Sequence, residues 1–505
     1  MYLFENEYKS ILYTADEGKG SIVESYAGVE KEVVAELLKR LKKDGYKNVD
    51  TYDIWKNSFA TYAKDGDAVY VAYYPDIKEM RIVSEPESQY LTFKDTPGES
   101  SVKPLITQID LTDFGLSYVI RMADGRFIIF DGGRIREEEA DSLIACLRAQ
   151  TPTEKPIIAA WIMTHPHLDH YYAYFPFEEK YGDECVIERF IYNFPDVTEK
   201  NIEIFSELAR PEREMKHLPL FEEAVKRSGA PVYRAHTGQK YKIGDLEFEI
   251  LASPDDAFMN PSKFNAISLA MKVVIAGQTV LWTGDSQFPT VKMADRWGEY
   301  LKSDIYQVTH HGFPGGDIRA YSFIDPTVCL WPSFDYDAFG NHFYYNEFNL
   351  HLIYNLHVKD ILIGGGGTIT IEMPYTPREN GKKLFFDRIE HYQKRLGACT
   401  WVFDGLTKAD ANFTFFAFGG AKEVYADLYF EDSDKIVKNV KFTLDGKVRK
   451  KNLFADAEES YQDARGYNTK ALSVTEIADD EVFTVMFKAE RPLIIRGVKA
   501  PLYFA

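Results

Sequence analysis

The chain has 505 residues, of which 45% are hydrophobic and 27% charged, the make-up of a globular protein with a large core and more than one domain. Its net charge of −19, with Lys447–Lys451 as the densest basic stretch, argues against long nucleic acid as a partner. No apolar run reaches the roughly 18 residues that cross a bilayer. The first residues lack the basic-then-apolar pattern of a secretory signal. The four cysteines, Cys146, Cys185, Cys329 and Cys399, form no CxxC pair and read as buried free thiols, so a cytoplasmic location is expected.

Residues 1–105 read as a small α+β module. Val29–Leu41 has apolar residues at helical spacing, and Ala68–Tyr73 alternates as a strand. The turn-rich Pro97–Pro104 marks a boundary. Residues 106–375 form the central domain. Strands are expected at Tyr118–Met122, Phe127–Asp131, Ile157–Met163, Phe248–Leu251, Ser268–Ile275, Thr279–Thr283, Ile305–Thr309, Val328–Trp331 and Ile361–Ile363. Helices are expected at Glu137–Ala149, in part of Thr198–Ser228, and at Phe348–Leu356. Gly364–Gly367 lacks the Lys-Ser/Thr of a phosphate loop and reads as a tight strand connection. Residues 376–505 begin with a helix, Lys382–Leu396, and continue as a small β-rich module with strands such as Val424–Phe430 and Phe483–Phe487.

The chemistry concentrates in Thr164-His165-Pro-His167-Leu-Asp169-His170, which follows the apolar run Pro156–Met163. Imidazole and carboxylate are ligands that zinc and similar cations prefer. His165 and His167 point the same way in an extended segment and can share one metal; Asp169 and His170 follow at the turn and can reach a second. A structural zinc site would favour cysteine, which is missing here. Downstream, the apolar strand Val280–Thr283 ends at Gly284-Asp285, and a carboxylate at a strand end can bridge two cations about 3.5–4 Å apart. Another strand then delivers His310-His311-Gly312.

In this order the motifs resemble the metallo-β-lactamase-fold hydrolases. The resemblance runs over roughly half the chain, through Gly115–Ile120, Asp124–Gly133, the histidine cluster, Thr237–Asp245, Asn265–Leu269, Thr283–Asp285, His310–Gly312 and Gly367–Thr370. Within that superfamily the Asn-x-x-Ser-Leu stretch and the His-His-Gly ending are similar to the hydrolase domain of the bacterial DNA-uptake competence channel and its soluble relatives. The resemblance implies an α+β fold, a four-layer αββα sandwich, flanked here by the N-terminal α+β module and the C-terminal β-rich module. It also implies two divalent metal ions, zinc first, with manganese or iron as alternatives. Many family members place a further histidine ligand before the Gly-Asp strand, where this chain carries Asn265. His217 and His236 are the only histidines in that interval; neither is expected to be a ligand, and His236 reads as a surface residue.

The expected site follows. His165, His167 and Asp285 hold the first metal; Asp169, His170, Asp285 and His310 hold the second. His311 contacts substrate or protonates the leaving group, an assignment that can be exchanged with His310. Asp169 also orients the attacking water, and Asp131 either orients the histidine cluster or is a turn carboxylate before Gly132-Gly133. The aromatic stretch from Trp331 to Tyr345 offers a pocket wall, with His342 a candidate substrate contact, although a surface loop histidine is the simpler reading. The expected activity is hydrolysis of a small anionic phosphodiester or other phosphoester. An ester, lactone or amide hydrolase with the same metals is the alternative, and a non-catalytic metal-binding interaction module is the third reading. No membrane partner is expected, and a homo-oligomer is left open.

Overall fold

A computed structural model describes residues 11–18, 20–111, 115–134, 137–196, 211–257, 264–333, 347–364 and 367–387, with further strands between 400 and 499. The fold is mixed α+β, with several sheets. The chain divides into two compact units, Met1–Ser333 with Leu356–Arg378, and Phe334–Asn355 with Glu379–Ala505. The N-terminal sheet and the two central sheets therefore share one unit, a grouping that differs from cuts at residues 105 and 375.

The N-terminal sheet contains β1 (Ile11–Gly18), β2 (Ser21–Ala27), β3 (Lys47–Ile54), β4 (Asn57–Lys64), β5 (Asp67–Tyr74) and β6 (Glu79–Glu85). These pair antiparallel in the order β1-β2-β6-β5-β4-β3. The helix Lys31–Lys43 lays Val34, Leu37 and Leu41 against Val69, Val71, Met80 and Ile82 on one face. Strand alternation sends Arg81 to the opposite face, which meets the rest of the unit: Phe59 stacks on Trp297 at 6.1 Å. Sequence patterning shows only β5 among these strands. β3 is mostly solvent-exposed and polar, and β6 carries a buried arginine, so neither has a simple apolar alternation.

The second sheet contains β7 (Leu105–Gln108), β8 (Ser117–Arg121), β9 (Phe127–Asp131), β10 (Ile157–Ile162), β11 (Val186–Ile187), β12 (Phe190–Ile191) and β13 (Val232–Tyr233). The third contains β14 (Lys240–Ile243), β15 (Leu246–Ala252), β16 (Ala270–Ile275), β17 (Gln278–Trp282), β18 (Ile305–Gln307), β19 (Val328–Trp331) and β20 (Asp360–Ile363). The chain then returns to the second sheet: β21 (Ile369–Glu372) pairs with β7, and Gly364 and Gly367 lie on that crossover. The third sheet is antiparallel from β14 to β17 and parallel from β17 to β20.

One apolar cluster joins the two sheets. Ile120, Ile128, Phe130 and Ile162 meet Phe248, Ile250, Met271, Val280 and Trp282, with Phe130 stacked on Trp282 at 4.6 Å. The alternate residues Val119, Phe127, Ile129 and Trp161 face the other way. They pack with Leu143 and Leu147 of the helix Glu137–Gln150, Phe177 of Tyr174–Tyr181 and Phe221 of Pro211–Arg227. Burial on both faces explains why these strands read as continuous apolar runs.

In the second unit, the strands after residue 400 form a five-stranded and a four-stranded sheet, and the helix that begins at 381 is described as far as 387. The stretch expected as a single helix over Phe348–Leu356 is an α-helical turn, Glu347–Leu350, followed by a π-helical turn, His351–Asn355. Cys146, Cys185 and Cys329 are buried thiols outside any disulfide; Cys399 lies outside the described residues. Among the described residues no helix is long and apolar enough to cross a membrane.

Candidate metal centre

The candidate ligands sit at the ends of strands from both central sheets. β10 runs out at Ile162, and the chain continues extended through Thr164 and His165 to His167, which opens the short helix Leu168–Tyr171. This turn is held from below by backbone. Gly132 N and Gly133 N both donate to His170 O, at 2.6 and 3.2 Å, and Leu116 N donates to Asp169 O at 3.1 Å. Gly115 must be small, because a Cβ there would lie 2.9 Å from Asp169 O. β17 delivers Asp285 through Gly284, whose φ of +51° and whose closeness to Thr164 (2.8 Å from a built Cβ) both favour glycine. β18 delivers the two adjacent histidines.

Two groups of side chains have ligand atoms close enough to share an ion: His165, His167 and Asp285, and Asp169, His170, Asp285 and His311. Asp285 belongs to both. Its Oδ2 lies 3.7 Å from His165 Nε2, 3.3 Å from His170 Nε2 and 3.4 Å from His311 Nε2. Asp169 Oδ2 lies 3.2 Å from His311 Nε2 and 3.7 Å from His170 Nε2. His165, His170, His311 and Asp285 are buried. A group of buried histidines and aspartates that could hold a metal ion is thus present.

Hydrogen bonds on the far side of three rings, those of His165, His170 and His311, fix which nitrogen faces inward. His170 Nδ1 donates to Asp131 Oδ2 at 2.7 Å, and His311 Nδ1 donates to Pro332 O at 2.7 Å. Thr164 Oγ1 donates to Asp131 Oδ2 at 2.7 Å and so accepts from His165 Nδ1 at 3.2 Å. Each Nε2 is left facing the centre, and those of His170 and His311 stand only 3.3 Å apart. Two lone pairs that close repel unless a proton or a metal cation lies between them.

The electrostatics agree with that requirement. Burial lowers His165 well below its ordinary pKa and His167 to about 4, so both offer neutral nitrogens. Burial also opposes charge on His170 and His311, but Asp285, with Asp131 and Asp169, outweighs it, raising His170 well above its ordinary value and His311 to about 10. Burial disfavours the charged forms of Asp169 and Asp285 as well, yet the surrounding histidines hold both low. Positive charge is therefore demanded between these carboxylates, as protons on two rings or as a metal in their place. Asp285 Oδ1, buried without a hydrogen-bond partner, is a further open coordination position. The donor set fits a divalent cation that accepts nitrogen and oxygen.

The structure groups His311, not His310, with Asp169 and His170, which reverses the expected order of the pair. The backbone explains it. Both residues have left-handed conformations, φ +51° and +53°, so the chain turns sharply and the second ring folds inward. His310 instead donates from Nδ1 to Pro314 O at 2.8 Å, stacks on Phe313 at 5.0 Å and lies 3.9 Å from Asp285. It keeps 19% of its side chain exposed. Asn265 Nδ2 donates to His310 Nε2 at 3.0 Å, so Asn265 supports that histidine. His236 is fully buried between Asp255 and Glu85, contrary to the surface position expected of it. His217 packs on Tyr172, apart from both ligand groups. His342 lies outside the described residues. Thr164 joins the site without any motif to announce it: it ties Asp131 to two ligand histidines, and its position next to His165 is the one signal the sequence offers. No protein-family model matches the chain, and no curated protein sequence matches it.

Proposed function

We propose that the protein is a hydrolase of the metallo-β-lactamase type that uses two divalent cations, zinc first, to cleave a small phosphodiester or other phosphoester. The observation that carries this reading is Asp285, shared by two candidate ligand groups in which His165, His170 and His311 turn Nε2 toward it. The shared apolar core of the two central sheets, with helices on the outer face of the second, suits the four-layer αββα arrangement of that superfamily.

Two cations held there would supply Lewis acidity and lower the pKa of water toward neutrality. The protein's own residues do the rest. Asp285 would contribute to both positions, His165 and His167 would hold the first, and Asp169, His170 and His311 would hold the second. Asp131 and Thr164 fix ring orientation. Asp169, the more open carboxylate, would orient the attacking water. His310, partly exposed, with Nδ1 committed to Pro314 and Nε2 to Asn265, would contact the substrate.

A second reading, hydrolysis of a carboxylic ester or lactone, is favoured by one observation. The rings beside the centre are aromatic, Phe264 at 5.6 Å from His167 and Phe313 on His310. Among the described residues no lysine or arginine pairs with Asp169 or Asp285. Metal content by mass spectrometry, together with turnover of bis-p-nitrophenyl phosphate and of a lactone with added Mn²⁺ or Zn²⁺, tests both. Two metals per chain with phosphodiester turnover, both abolished by Asp285→Ala, is the expected result. Lactone turnover alone selects the second reading, and absence of metal after reconstitution sinks both.

A further inference from the structure

The N-terminal sheet reaches the centre through buried charge. Arg81 on β6 is 1% exposed, and its guanidinium pairs with Asp256 while donating to Tyr74 Oη at 2.9 Å and to Thr237 O at 3.3 Å. Arg296, in the helix Met293–Trp297, pairs with the same Asp256 and with Glu79 of β6, which also binds Lys292 at 2.6 Å. His236 bridges Asp255 at 2.8 Å and Glu85, again on β6, at 2.5 Å. Alternate residues of one strand, Glu79, Arg81 and Glu85, thus grip the turn Pro254–Asp256 or its partners. The other oxygen of Asp256 accepts from Ser253 N at 3.0 Å and Thr237 Oγ1 at 2.6 Å, so this carboxylate is fully used.

That turn stands next to the metal centre. Ala257, directly after Asp256, packs in a cluster with Phe264, Ala266 and Ile267. Phe264 lies edge-on to the His167 ring, and Asn265 donates to His310. A contiguous path of contacts therefore runs from β6 through Asp256 and Ala257 to Phe264 and Asn265, and so to two histidines of the site. Apolar contact alone would hold the sheet in place. Paired charges in a buried interface add orientation, because they tolerate little displacement.

We propose that Arg81 is a positioning residue for the candidate metal centre, and that the N-terminal sheet sets the placement of His167 and His310 by fixing Asp256. The catalytic meaning of this coupling rests on the metallohydrolase reading, but the coupling itself does not.

The test uses the full-length, metal-free protein with ¹³C-labelled histidine rings, the signals assigned by His→Gln substitution. Arg81→Met is expected to shift the ring signals of His167 and His310 while leaving exposed His357 unmoved. Tyr90→Phe, in the short turn Gln89–Thr92 that follows β6, removes a different contact to the third sheet, the bond to Lys240 O at 3.3 Å, and is expected to leave those rings unmoved. Unmoved His167 and His310 signals in a folded Arg81→Met protein overturn the proposal. Equal shifts in Tyr90→Phe overturn it too, since the effect is then general loosening. If Arg81→Met does not fold, Arg81→Lys, which keeps the charge but loses the guanidinium fork that aligns Asp256 with Tyr74 and Thr237, is expected to give smaller shifts of the same two rings, and a folded Arg81→Lys protein with both rings unmoved overturns the proposal. Cobalt(II) titration separates the two ideas: Arg81→Met should weaken binding, by less than the roughly tenfold lost with a partner bonded directly to a ligand. A parent protein that takes up no cobalt, while its rings still respond to Arg81→Met, sinks the metal reading and supports the coupling.

Discussion

His310 and His311 both donate from Nδ1 to a backbone carbonyl, and what separates them is Nε2, which accepts from Asn265 in His310 and faces Asp169 and Asp285 in His311. His311→Gln is expected to remove about one metal per chain, whereas His310→Gln keeps both metals and loses turnover; metal analysis of the two variants checks this. Asp131 touches no candidate metal position, yet it accepts from Thr164 and from His170 Nδ1. Asp131→Asn should therefore lower metal affinity about 10–100-fold by freeing the ring tautomer, measured by competition with a chelator. The ligand types are legible in the sequence because dense histidines in a chain with 11 in all are conspicuous. The choice between neighbours is not, since it depends on two residues with positive φ that no spacing rule announces.

At the scale of elements, the site is a meeting of strand ends, and one tight joint is the turn after β18. Gly312 has φ +89°, and a Cβ there would lie 2.7 Å from the Trp331 ring, which itself donates from Nε1 to His311 O at 2.7 Å. Gly312→Ala is expected to cost about 1–3 kcal/mol through strain and displacement of that ring, read as a lower urea midpoint. Apolar runs buried on both faces make most of the central strands legible from residue order alone. β2, β4 and β6 are not, because their buried residues include Glu24, Ser25, Thr61, Arg81 and Ser84, which interrupt any apolar stripe. His236 reads as a surface residue for a related reason. Nothing local in Arg-Ala-His-Thr-Gly announces two carboxylates from distant parts of the chain.

The whole molecule carries its own pH signature in that buried charge. Burial opposes the charged form of His236, but Asp255 and Glu85 outweigh it and push the pKa up from 6.5 to about 10. Its contribution to stability is then complete below about 6.5 and is lost as pH rises toward 10. Burial likewise opposes charge on Glu79, but Arg296 and Lys292 bring it down from 4.5 to about 2. Its contribution is complete above about 4.5 and fades as pH falls toward 2. The metal-free protein should therefore melt highest between about pH 4.5 and 6.5 with respect to this network, and Glu79→Gln should flatten the acid limb of the melting profile.

The return of the chain from β20 to β21 bears on how the protein is made. β7 leaves the ribosome early, but the strand that covers its outer edge comes much later; Thr107 and Thr370, hydrogen-bonded at 3.0 Å, are 263 residues apart. At about 5–20 residues per second, that edge waits roughly ten seconds to a minute for its partner during synthesis. Until then it offers unpaired backbone groups to any other extended chain. Nascent chains arrested before Ile369 should bind holding chaperones and aggregate when released, while chains arrested beyond the second unit should not.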